Sequence, residues 1–195
     1  YDWKYNPQVY EAVDKCIPAQ LQRLFVNLQT SELRAIETDA LTKSFGWTGM
    51  QAFEQQDVEP VVCISYDDAV AYAAWLSTRT GARYRLPTLG EWRHAAQAGA
   101  RPLRCGGDNL AERDGCRDGV RHTAPSSRFA RDGIGFANMA GNVAEWTADC
   151  ARGSACEKRL IAGGSWRESF APDLRLLVGE SDPERGYDDV GLRLL

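Results

Sequence analysis

What this sequence lacks narrows it first. Its 195 residues include two histidines, His94 and His122, and no cysteine pair spaced as CxxC, so the usual donor set of a Cys/His zinc site is missing. Basic residues are not in excess: 23 Lys and Arg stand against 27 Asp and Glu, a net charge of -4, with the two signs interspersed. No basic stripe exists to neutralise a phosphate backbone, which argues against nucleic acid as a partner. No apolar run approaches the roughly 18 residues a spanning helix needs, so no membrane span is expected. A signal-peptide pattern is also missing. The chain begins at Tyr1 rather than at an initiator methionine, which leaves room for a targeting segment already removed. There is no internal repeat and no low-complexity tract. A chain of this length usually closes around one core, so one domain is expected.

Cysteines are nonetheless present, at positions 16, 63, 105, 116, 150 and 156. Cys105 and Cys116 bracket the polar loop CGGDNLAERDGC, and Cys150 and Cys156 bracket the shorter CARGSAC. Loops with so little apolar surface gain order when a cross-link removes entropy from the unfolded chain. Local bridges Cys105–Cys116 and Cys150–Cys156 are therefore expected in preference to free thiols. Cys63 lies inside the apolar run VVCIS, where a free buried thiol is the favoured reading and a bridge to Cys16 the weaker one. Such cysteine usage points to an oxidising compartment, periplasmic or extracellular.

Apolar residues at helical spacing (Leu21, Leu24, Phe25, Leu28, then Leu33, Ile36, Ala40, Leu41) predict a helical pair within an N-terminal segment, residues 1–58, that is part of or packed on the main domain, residues 59–195. PVVCIS reads as a buried strand. Ser65 with Asp68, and Thr88 with Glu91, have capping-box spacing and predict helices through YDDAVAYAAWLSTRT, ended by Gly81, and EWRHAAQAG, ended by Gly99. Between them RYRLPT reads as a short strand stopped by Pro87. From 99 to 135 the chain is rich in Gly, Asp, Arg and Ser without periodicity, which predicts long irregular structure. Apolar runs around Trp146, in RLIAGGSW and in VGLRLL then predict short antiparallel strands. The sum is a mixed α+β domain.

Four segments, YDDAVAYAAWLSTRTGARYRLPTLGEWRHAAQAG, GFANMAGNVAEWTADC, IAGGSW and DDVGLRLL, stand in an order that resembles the formylglycine-generating enzyme family, the sulfatase-modifying-factor domain. The resemblance covers roughly residues 60–195. It implies a C-type-lectin-like fold with two main helices, short antiparallel strands and long loops. In catalytic members two cysteines shortly after GGS bind copper; here Glu168 and Asp173 align with them, and carboxylates do not supply the soft ligation that Cu(I) prefers. A second catalytic branch holds iron on three histidines, and this chain has two. No catalytic residue is therefore assigned.

The resemblance also implies a structural calcium ion held by Asn142 and Glu145 with neighbouring carbonyls, hard oxygen donors of the kind calcium takes. The competing reading is a turn at Gly141, with Glu145 bound to backbone amides under a packed Trp146. Function is then expected on the C-terminal loop face, where Trp166, Arg167, Glu168, Arg175, Arg185 and Tyr187 are the candidate ligand-binding residues. For Trp166 a core or rim position, and for Arg175 and Arg193 pairing with internal carboxylates, stand as alternatives. The expectation is a non-catalytic binding or sensory module for a protein or small polar ligand, within a larger polypeptide or assembly. The runner-up is a periplasmic enzyme of the same family acting oxidatively on a peptide or small molecule, with Glu168, Asp173 and Arg175 as its polar groups.

Overall fold

The computed structural model describes residue 53 and residues 55–99, 118–153, 155–168 and 177–195. The helical pair expected before residue 53, the Cys105–Cys116 loop, Asp173 and Arg175 lie outside them.

Both capping boxes form as the spacing predicts. Helix α1, Tyr66–Thr80, starts on Ser65, whose side chain accepts from the Asp68 amide while the Asp68 carboxylate accepts from the Ser65 amide. Gly81 ends it in the left-handed conformation at φ 76°. Helix α2, Leu89–Ala98, starts on Thr88 with the same reciprocal pair to Glu91. Arg85 clamps Glu91 with two bonds of 2.8 and 2.7 Å. The Arg85 guanidinium, then Thr88, hold the Glu91 carboxyl down at about 2. A depressed carboxyl stabilises the fold above its ordinary value of 4.5, and that contribution is lost as pH falls toward about 2. Removing the cap by Thr88→Ala is expected to cost about 1 kcal/mol, read as a lower urea midpoint at pH 7.

Among the described residues the strands are β1 Ala144–Cys150, β2 Arg159–Ala162, β3 Val178–Ser181 and β4 Val190–Gly191. They form one mixed sheet in the order β3-β2-β1-β4. β2 pairs antiparallel with both β1 and β3, whereas β4 runs parallel to β1, contrary to the all-antiparallel expectation. A parallel neighbour needs a crossover, and the chain between β1 and β4, which includes β2 and β3, supplies it. β3 falls in VGES, within the stretch expected to form the C-terminal loop face.

Two expected strands do not form. PVVCIS is buried at Val62, Cys63 and Ile64, but Cys63 has φ 58°, which breaks an extended ladder. RYRLPT likewise forms no strand; Arg85 exchanges backbone bonds with Leu195, at 3.0 Å each way, and the Pro87 carbonyl accepts from the Ala148 amide at 2.8 Å. Cys63 is disulfide-bonded rather than free, with a partner outside the described residues. Burial favoured the apolar-thiol reading, yet the same closely packed run accommodates a cross-link. The expected bridge Cys150–Cys156 is present and closes the turn between β1 and β2.

Trp146, wholly buried, sits in the main core with Ile64, Ala69, Leu86, Tyr187 and Val190. Its ring nitrogen donates to the Ile64 carbonyl at 3.2 Å. A second cluster joins Trp92 and Ala96 of α2 to Met139 and Ala162, and so fastens the helix to β2. Gly163 follows β2 at φ 100°, and a Cβ there would lie 2.9 Å from the Trp92 ring. Only glycine lets the chain turn this close under the indole.

Candidate functional site

Three sequence motifs meet at the end of β1. In GNVAEW, Gly141 and Asn142 are both left-handed, at φ 77° and 66°, and turn the chain into β1. The Gly141 amide donates to the Gly163 carbonyl at 3.0 Å, and the Trp166 amide donates to the Asn142 carbonyl at 2.9 Å. GNVAEW is thereby clasped to GGSW. The third motif, DDVGLR, joins through the Ala144 amide, which donates to the Asp189 carbonyl at 2.9 Å.

The side chains of Asn142 and Glu145 have protein partners. The Asn142 amide pairs with the Ala124 backbone in both directions, at 2.9 and 3.0 Å. Glu145 accepts from Trp92 Nε1 at 2.7 Å and from Arg193 Nε and Nη2 at 2.9 and 2.7 Å. Arg193 also donates to the Ala137 carbonyl. Glu145 is 4% exposed, so its charge needs a cation, and Arg193 supplies one. The Glu145 charge raises the Arg193 guanidinium further above its ordinary value. The Asn142 amide oxygen and both Glu145 oxygens each accept from a protein donor, and Arg193 supplies the counter-charge for the buried carboxylate. No group of three or more His, Cys, Asp and Glu able to hold a metal occurs among the described residues. A cavity of about 340 Å³ adjoins the turn, but Glu59, Arg131, Asn142 and Glu145 on its wall are each tied to a protein group.

A different polar group forms beside the GGSW loop. Ser165 Oγ lies 2.6 Å from Glu168 Oε2 and 2.9 Å from Asp189 Oδ2, and accepts from the Arg167 amide at 3.1 Å. The Ser165 amide also donates to Glu168 Oε2. Arg167 is buried and donates to Asp188 Oδ2 at 2.5 Å, with its Nε 3.8 Å from Asp189 Oδ2. Its guanidinium lies 4.2 Å over the Trp166 ring. Trp166 in turn meets His122 and Phe53 edge-on, with centroids at 4.9 and 5.8 Å. Burial, then the charges of Glu168 and Asp188, push the Asp189 carboxyl up to about 7 against the pull of Arg167.

Of the six candidate binding residues, Trp166, Arg167 and Glu168 belong to this group. Arg185 is exposed and pairs with Asp182 at 3.2 Å, while Tyr187 is buried against Trp146. Its hydroxyl accepts from the Asp182 amide, and burial raises its pKa. Sequence reasoning missed Ser165 and Asp189. A signal was present for the first: S-W-R-E repeats the Ser/Thr-x-x-Glu/Asp spacing of the two helix caps, and the Glu168 carboxylate again accepts from the Ser165 amide, while Ser165 Oγ accepts from the Arg167 amide instead of the Glu168 amide.

Residues 23–195 match the Sulfatase-modifying factor enzyme 1-like domain. The chain belongs to this family. It is 42% identical over 106 residues to the formylglycine-generating enzyme of Thermomonospora curvata, covering 46% of the chain and 33% of that protein. To the inactive C-alpha-formylglycine-generating enzyme 2 of Bos taurus it is 28% identical over 201 residues, covering 87% of the chain and 65% of that protein. A 67-residue stretch is 46% identical to ubiquitin carboxyl-terminal hydrolase 47 of Homo sapiens, covering 34% of the chain and 5% of that protein. The solved structure of PvdO from Pseudomonas aeruginosa shares the fold, with TM-score 0.65, 26% identity, and coverage of 81% of the chain and 75% of PvdO. The family domain of this chain thus carries a carboxylate, Glu168, on the loop that follows its GGS motif.

Proposed function

We propose that this chain is a non-catalytic binding module on the sulfatase-modifying-factor scaffold, taking a protein or small polar ligand at the face formed by the GGSW loop and Asp188–Asp189. Glu168 carries the reading. It aligns with the first copper cysteine, offers hard oxygen in place of thiolate, and turns back onto Ser165 at 2.5 and 2.6 Å. Similarity to a relative described as inactive supports it. The disulfide Cys150–Cys156 supports an oxidising, periplasmic or extracellular setting. The short match within a much longer protein supports a place in a larger polypeptide. One observation favours an enzyme instead: a carboxyl titrating at about 7, Asp189, lies in the same face.

Two measurements test the proposal. Purified protein supplied with Cu(I), oxygen and a cysteine-containing peptide is expected to form no aldehyde above the protein-free control by mass spectrometry. In a small polar fragment screen followed by NMR, amide shifts should cluster at 165–168 and 188–189. Aldehyde formation, or fragment shifts confined to other surfaces, overturns the binding-module reading.

A further inference from the structure

The geometry at Ser165 sets a proton-counting problem. A serine hydroxyl has one hydrogen and two lone pairs. Here one lone pair takes the Arg167 amide, and two carboxylate oxygens, Glu168 Oε2 and Asp189 Oδ2, stand within 2.9 Å of the same oxygen. The hydroxyl can donate to only one of them. If both carboxyls were ionised, the other contact would set lone pairs against lone pairs in a largely buried place, where Asp189 is 14% exposed.

We propose that Glu168 and Asp189 share one proton across Ser165, and that this proton makes Asp189 a positioning residue, latching the GGSW loop to the segment that enters β4. In the favoured arrangement Asp189 Oδ2–H donates to Ser165 Oγ, and the Ser165 hydroxyl donates to Glu168. Loss of the proton leaves Glu168, Asp188 and Asp189 facing the single guanidinium of Arg167, and the Asp189–Ser165 contact opens. The direction of the Asp189 shift agrees with this arrangement. A carboxyl raised in the folded state, from 3.8 to about 7, stabilises the fold most below 3.8, and that contribution is lost as pH rises toward about 7. The inference concerns how the loop is held and stands whether the face binds or catalyses.

The test is the pH dependence of unfolding, by urea midpoints between pH 5.5 and 8, for the parent and for Asp189→Asn. Asparagine keeps a donor to Ser165 without a titrating proton. The parent should lose stability as pH rises, with a slope steeper than the variant's by up to about one proton over the lower part of the window. At pH 8 the variant should be at least as stable as the parent. Equal slopes in the two proteins overturn the proposal. Carbon-detected NMR on the folded parent decides independently, also where the variant does not fold. The Asp189 carboxyl carbon should change in one step near neutrality. A change complete below pH 5 overturns the proposal.

Discussion

Arg193→Met is expected to lower stability by about 3–5 kcal/mol, the cost of leaving a buried carboxylate without its cation. Glu145 has 6% of its side chain exposed, and two of its three hydrogen bonds come from Arg193. Methionine keeps much of the aliphatic volume, so the loss reports the charge rather than a cavity. Among the described residues Trp92 Nε1 then remains as the donor to Glu145, at 2.7 Å, and one neutral donor does not offset burial of an ion. The double variant Glu145→Gln with Arg193→Met removes both charges and should recover part of the loss. Urea midpoints for the two single variants and the double variant give the coupling directly. A loss below about 1 kcal/mol for Arg193→Met would mean that the pair behaves as a surface ion pair.

Arg167→Leu should cost a similar amount, about 3–5 kcal/mol, for a related reason. Asp188 is 1% exposed, its Oδ2 is held by Arg167, and its Oδ1 has no hydrogen-bond partner among the described residues. Without the guanidinium, an ionised Asp188 has no nearby counter-charge among its described contacts. The same change removes the one group that lowers the Asp189 pKa by its charge, so the Asp189 titration should move upward from about 7. The paired readout is informative: a stability loss without the upward movement would mean that Arg167 pairs with Asp188 and does not act on Asp189. Because Arg167 and Glu168 both belong to the GGSW loop, fragment binding at 165–168 should weaken in this variant.

The two helices and their caps were legible because capping boxes are local. Ser65 with Asp68, and Thr88 with Glu91, need only a three-residue spacing to satisfy exposed amides, and the structure repeats that spacing residue for residue. The bridge Cys150–Cys156 was legible for the same reason, since its ends are six residues apart. The buried run PVVCIS was legible as buried and misread as a strand. An apolar run reports burial, whereas strand pairing depends on a neighbour distant in the chain, and Cys63 turns away in a left-handed conformation. The parallel pairing of β4 to β1 was hidden likewise, because direction is set by the route of the intervening loops.

By itself, the sequence determined the family, through the order of RLPTLGEW, GNVAEW, GGSW and VGLRLL, and it shows a carboxylate, Glu168, three residues after GGS. Tertiary structure decided the charge partners. Glu145 and Arg193 are 48 residues apart, and Arg167 and Asp188 are 21 apart, so no local pattern announces either pair. The same holds for Ser165 between Glu168 and Asp189. A proton or a guanidinium is assigned to a buried carboxylate by whatever donors the fold brings within 3 Å of it, and that depends on packing across the chain.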